Sequence, residues 1–238
     1  MERAGSVLAF DADDTLWHDL PRYLGLEARF AELLAEHGEP DALRARLDEI
    51  EIRNLERYGY GPKGFLLSMI ETAIEVSDGA IDGHAIRRIL EWAEVLTEQP
   101  VELLPGVAET LSALSERHRL WLVTKGDLFD QEAKIASSGL ADLFEHIEIV
   151  SQKDVDVYRT ILTRRGVAVE DWVMIGNSIR SDVLPALALG ARAVHVPHDE
   201  SWHHEEASID AASSERLLRV GDVKDLLSAE VGRWLSEK

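Results

Sequence analysis

The half of the chain beyond residue 104 alternates short apolar runs with stretches of helical periodicity, and no other feature restricts the fold as strongly. Runs at 120–123, 146–150, 172–175 and 193–196 read as strands, and helical patterns at 128–137, 156–165 and 181–189 fall between them. Pro105 suits the first turn of a helix that runs to about 116, and Gly190 closes the helix of 181–189. A strand at 216–220 and a terminal helix are expected at the end, and the apolar run 7–10 supplies a first strand. Strands that alternate with helices require right-handed crossovers and a parallel sheet covered on both faces. The expected class is α/β, a doubly wound three-layer core.

Between the first strand and this alternation the period changes. Residues 20–36, 41–57, 64–76 and 81–97 carry apolar side chains three and four apart and predict four helices. Gly38 with Pro40, the glycine-rich run 58–64, and Asp78-Gly79 separate them, and Gln99-Pro100 ends the segment. The expected organisation is a core of 1–17 and 101–238 with a helical insert at 18–100.

Composition narrows the partners. With 45 acidic against 25 basic side chains in 238 residues, a net charge of −20 repels nucleic acid and anionic membrane surfaces. Neither is an expected partner; the oligomeric state is left open. Cysteine is absent, which excludes disulfides, thiolate catalysis and cysteine-bound zinc. No apolar run approaches the roughly 18 residues that span a bilayer, and a cytoplasmic protein is expected. An acidic protein that binds an anion needs a local cation, a Lys or Arg, or helix N-termini at its site.

Open parallel sheets bind ligands at the carboxyl ends of their strands, and there the polar residues gather. The first strand runs V-L-A-F into Asp11, Asp13 and Thr15. Carboxylates beside a buried strand are costly unless paired, hydrogen-bonded or bound to metal. Residues two apart share a side, so Asp11 and Asp13 can address one reacting centre as nucleophile and acid/base; an acidic turn is the plain alternative. Thr124, Lys125 and Gly126 follow the second strand, where a hydroxyl and free amides can face a phosphate oxygen or merely form a polar turn. Lys153 follows the third and can neutralise repulsion between two anions, unless it is simply solvated. After the fourth, Asn177 and Asp182 lie in G-N-S-I-R-S-D. Asp11, the backbone carbonyl of Asp13, and Asn177 or Asp182 form a hard oxygen set for Mg2+; a helix cap competes for Asp182.

These clusters in this order, D-A-D-D-T at 11–15, Thr124, Lys153 and G-N-S-I-R-S-D at 176–182, resemble the four motifs of the haloacid dehalogenase superfamily. L-P-G-V-A-E-T-L at 104–111 is similar to the segment that re-enters the core after a helical cap in that superfamily. The resemblance spans residues 6–197 and implies a Rossmann-like core with an inserted four-helix cap of the C1 type. It further implies a Mg2+-dependent phosphatase of a small phosphorylated metabolite. Asp11 would attack phosphorus, Asp13 would protonate the leaving oxygen and then activate water, and Thr124 and Lys153 would hold the phosphoryl oxygens. Metal-free dehalogenases of the superfamily lack the acid at the position of Asp13. A phosphotransferase such as a phosphomutase, or a lapsed enzyme that only binds, are the other readings.

Two departures stand out: Asn177 replaces a common acid, which turns attention to Asp182, and no proline follows Lys153. In capped members the insert selects the leaving group, so the glycine-rich run makes Tyr58, Tyr60 and Lys63 candidates for substrate contact, with Lys125 on the core side; Trp17 and His18 sit at the connection to the cap. His195, His198, His203 and His204 lack the spacing of a zinc set and read as a loop at the edge of the site.

Overall fold

Val7–Phe10 (β1) lies at the centre of a sheet because every one of its side chains is apolar and buried, the signature of a parallel strand covered on both faces. The structure, a computed structural model, describes residues 6–98, 100–198, 202–205, 207 and 215–236. Among these, Arg119–Lys125 (β2), His146–Val150 (β3), Trp172–Gly176 (β4), Arg192–His195 (β5) and Leu217–Arg219 (β6) complete a six-stranded sheet in the order β3-β2-β1-β4-β5-β6. All pairings are parallel, as the alternation of periods requires.

Alternate residues of each strand feed opposite faces. Leu8, Phe10, Leu122, Val173 and Ile175 enter one core with Val107 and Leu111 of α6 (Val107–Ser115), Ile135, Val231 and Leu235. Val7, Ala9, Trp121, Val123 and Met174 enter the other with Tyr158, Ile161 and Ala186. The order reverses at β1: one crossover leads to β2, and β4 sits on the opposite side. A crevice at the carboxyl ends of β1 and β4 follows from that reversal.

The insert contains α1 (Leu20–Leu33), α2 (Pro40–Tyr58), α3 (Pro62–Val76), α4 (Gly83–Glu91) and α5 (Ala93–Thr97). Leu26, Phe30, Leu47, Phe65, Met69, Ile89 and Trp92 form a third hydrophobic cluster among them. Prolines 40 and 62 start α2 and α3 ahead of the expected positions, since proline is preorganised for the first helical turn. The helix expected at 81–97 is two helices. Asp82 caps the first by accepting from the Ala85 amide at 2.8 Å, and the chain turns at Trp92. Gln99 and the side chain of His203 lie outside the described residues.

The core helices α7 (Leu128–Ser138), α8 (Val155–Arg165) and α10 (Ala229–Ser236) match the periodicity. The stretch expected as a helix over 181–189 differs: Ile179–Val183 is a π turn that leads into α9 (Leu184–Leu189). Pro185 has no N–H to offer the Ser181 carbonyl, and the hydroxyl of Tyr158 donates to that oxygen instead at 2.9 Å. No helix among the described residues is long and apolar enough to cross a membrane.

Candidate active site

The end of β1 is built as a tight turn. The Asp11 amide extends the ladder to the Ile175 carbonyl at 2.8 Å, after which the amides of Thr15 and Leu16 both return to the Ala12 carbonyl. Asp14 takes a left-handed conformation at φ 57°, tolerable for a short polar side chain. Its carboxylate accepts from the amides of Asp19 and Leu20 at 2.9 and 3.1 Å, which ties the start of α1 to the turn.

Beneath the turn sits a buried charge cluster. Lys153, delivered by the loop before α8, donates to Asp11 and, at 2.7 Å, to Asp182; its side chain is 2% exposed. One ammonium serves two carboxylates. Burial, then repulsion from Asp182, pushes the Asp11 carboxyl up to about 7 despite Lys153. Burial opposes the charge on Lys153 too, but Asp11 and Asp182 outweigh it and hold the ammonium above its usual range.

Asp182 reaches this cluster through the π turn, a device that recurs at functional sites. Its other carboxylate oxygen accepts the Ser178 amide at 3.0 Å. That fold-back needs Gly176, because a Cβ there would come within 2.2 Å of Asp182 Oδ2. Thr15 closes the ring: its hydroxyl faces Asp11 Oδ2 at 3.1 Å and Asn177 Oδ1 at 3.3 Å and accepts the Asn177 amide at 3.1 Å.

Asp13 points into a separate set of donors. Trp17 Nε1 reaches Oδ1 at 2.7 Å, Gln131 Nε2 reaches Oδ2 at 2.7 Å, and Lys134 spans both oxygens. Burial works against the ionised form, but Lys134, Gln131 and Trp17 prevail and hold the Asp13 carboxyl below its usual range. Thr124, 1% exposed, donates to Gln131 Oε1 at 3.3 Å. The structure thus places its hydroxyl behind Gln131, outside the cavity wall.

Lys125 crosses to the far edge. It donates to Ser181 Oγ at 2.9 Å and to Glu205 at 2.5 Å, and lies 3.8 Å from the centre of the Tyr60 ring. Ser178 and Ser181 also donate to Glu205. Burial disfavours that carboxylate, yet Lys125 and the two hydroxyls pull Glu205 down to about 2. Trp202 of the same loop donates to Asp48 of α2 at 3.0 Å.

A cavity of about 470 Å³ joins these groups: Asp11, Asp13, Lys125, Lys153, Asn177, Asp182 and Tyr60 all line it. Tyr58 and Lys63 do not. Tyr58 is 40% exposed beside Arg57, and Lys63 bridges both oxygens of Asp127 at 3.0 Å. His195 contacts the Asn177 carbonyl at 2.9 Å and His198 lies 3.8 Å from Asp14, both at the cavity edge, while Arg180 donates to the His204 backbone. The sequence reading did not single out Lys134, Gln131, Glu205 or Trp202. The amphipathic pattern of α7 carried one signal for the first two, a lysine and a glutamine on a face that turns inward.

The side chains of Asp11, Asp182 and Asn177 bring hard oxygens to the cavity. No three His, Cys, Asp or Glu side chains group as a metal site among the described residues. Such a set is poor for zinc but suits Mg2+, which commonly takes one or two carboxylates and completes its shell with water and substrate phosphate. The raised Asp11 carboxyl marks a local surplus of negative charge that a divalent cation would relieve.

On the insert side, Glu51 lines the cavity, and its carboxyl is pushed up to about 8 by burial and then by Glu27 and Asp48. A raised carboxyl stays protonated in the fold while the unfolded chain ionises near 4.5. The contribution of Glu51 to stability therefore falls between pH 4.5 and 8, by at most about 1.4 kcal/mol per pH unit. Urea unfolding of Glu51→Gln is expected to show a shallower decline than the parent over that window; parallel curves would refute it.

A family model described as haloacid dehalogenase-like hydrolase matches residues 6–190. A phosphoserine phosphatase of Thermus thermophilus is 29% identical over 94% of this chain and 98% of its own length. The crystal structure of a haloacid dehalogenase-like hydrolase from Xanthomonas campestris has a TM-score of 0.82 at 40% identity, covering 98% of this chain and 95% of the other. A 2-haloacid dehalogenase from Pseudomonas syringae pv. Tomato has a TM-score of 0.63 at 25% identity, covering 96% and 99%. The parallel core, the strand-end carboxylates and these matches agree: the chain belongs to the haloacid dehalogenase-like hydrolases.

Proposed function

We propose that the protein hydrolyses small phosphomonoesters through an aspartyl-phosphate on Asp11, with Mg2+ as its cofactor. The observation that carries this reading is the pair of acids on one turn with divided environments. Asp11 faces the cavity beside Lys153, and Asp13 is gripped by three donors of its own. The phosphoserine phosphatase relative supports the same reaction class. A metal-free dehalogenase would have no use for Asp13 and its donors.

In the first half of the cycle an Asp11 oxygen attacks phosphorus, the bond to the leaving oxygen breaks, and Asp13 hands that oxygen a proton. In the second half water attacks phosphorus, Asp13 takes the proton, and the bond to Asp11 breaks to release phosphate. The ionised Asp13 of the free protein suits the second half; the proton for the first can arrive on the ester, whose second pKa is about 6. Lys153 offsets charge on the phosphoryl oxygens. Asp11, Asp182, Asn177 and the Asp13 carbonyl would hold Mg2+, which would further reduce repulsion between the nucleophile and its anionic substrate. Thr124 acts behind Gln131 in this scheme. The insert 18–100 serves as the cap, and Tyr60 and Lys125 form its contact with the core over the leaving-group side.

A panel of phosphomonoesters assayed for phosphate release, with Mg2+ and with a chelator, tests the reading. Turnover of at least one ester, lost on chelation, is expected. Silence across the panel, or transfer to a sugar acceptor in place of hydrolysis, counts against it.

A further inference from the structure

We propose that Lys134 is a positioning residue, one that fixes the Asp13 carboxylate for proton transfer to the leaving oxygen and links that orientation to the docking of the insert. The inference rests on the phosphatase reading above.

Lys134 lies on α7, and its side chain is only 5% exposed. Its ammonium meets Asp13 at 3.1 and 3.2 Å, Asp19 at 2.9 Å and Asp130 at 3.1 Å. Trp17 and Gln131 each hold one oxygen of Asp13, whereas Lys134 alone among the described residues touches both. With one oxygen held by Trp17 and the other by Gln131, the ammonium that meets both fixes how far the carboxylate reaches and favours its ionised form. Proton transfer demands such alignment, and a displacement of about 1 Å can cost about 10²-fold.

The second contact adds a link. Asp19 immediately precedes α1, so the same ammonium that aligns Asp13 also grips the point where the chain leaves the core for the insert. Asp14 holds the adjoining amides. A lysine whose task was only to neutralise Asp130 one turn earlier would need neither contact.

Leaving-group dependence separates positioning from simple stabilisation. Expulsion of p-nitrophenolate needs little protonation, whereas expulsion of phenolate needs more. Lys134→Met should lower kcat/KM for phenyl phosphate by about 10–100-fold and for p-nitrophenyl phosphate by less than about threefold. Lys134→Arg should recover most of the loss. In an Asp13→Asn background, where Lys134 has no carboxylate left to align, Lys134→Met should cost no further rate. Equal losses on the two esters, or a further loss added to Asp13→Asn, would overturn the assignment. If the parent enzyme cleaves no ester of the panel, the phosphatase reading fails first, and that failure is distinct from a flat response to Lys134.

Discussion

Asp11→Asn is expected to abolish phosphate release, at least about 10⁴-fold, while the protein stays folded. Removal of a covalent nucleophile leaves only binding and electrostatic stabilisation, and losses of that size or larger are typical. Stability should move the other way. Asp11 titrates near 7 in the folded chain against 3.8 as a free side chain, because burial and Asp182 oppose its charge. A raised acid favours the fold below the unfolded pKa and loses that advantage as pH climbs through the folded one. With a chelator present, the parent should therefore lose stability from pH 4 to 7 by a component that the neutral asparagine lacks. Phosphate assays and urea unfolding at pH 5 and 8 read both effects. An active Asp11→Asn enzyme removes the nucleophile assignment; a variant that unfolds at pH 8 while the parent does not contradicts the electrostatic account.

Lys153→Met should be the more damaging change, because it costs rate and stability together. It leaves the Asp11 and Asp182 carboxylates, 7% and 1% exposed, without the ammonium they share. Loss of one member of a buried ionic group costs about 3–5 kcal/mol, and loss of one charged stabiliser of the transition state about 10²–10³ in rate. The penalty has a predictable sign with pH. Without the lysine the Asp11 carboxyl is raised further, so the defect grows as pH rises above about 4, where the unfolded chain ionises, and fades in acid where that carboxyl is neutral in either state. Denaturant curves of parent and variant at pH 4.5 and 8 check this. A gap that is constant with pH would mean that Lys153 acts through packing alone.

Much of the site could be read from local pattern because the polar residues of a parallel sheet stand at fixed places, the carboxyl ends of its strands. Asp11, Lys125, Lys153, Asn177 and Asp182 were found that way, and the structure gathers them around one cavity. The loop candidates fared differently. Of Tyr58, Tyr60 and Lys63, only Tyr60 turns toward the cavity, since Pro62 starts α3 at once and Lys63 is drawn to Asp127. The helix expected at 81–97 breaks at Trp92, whose indole belongs to the insert's own cluster. Tertiary burial overrides a periodicity that continues through the break.

Periodicity and strand-end chemistry, both local properties, were enough to establish the parallel α/β core, the helical insert and the acids at the head of the first strand. What they could not supply was the long-range pairing of charge. Lys134 meets Asp13 from 121 positions away, and Glu205 meets Lys125 from 80. Isolated in sequence, a lysine on a helix or a glutamate in a loop looks like any solvated side chain. Only the packed chain removes water from them, and removal of water makes each charge depend on the partner that the fold brings to it.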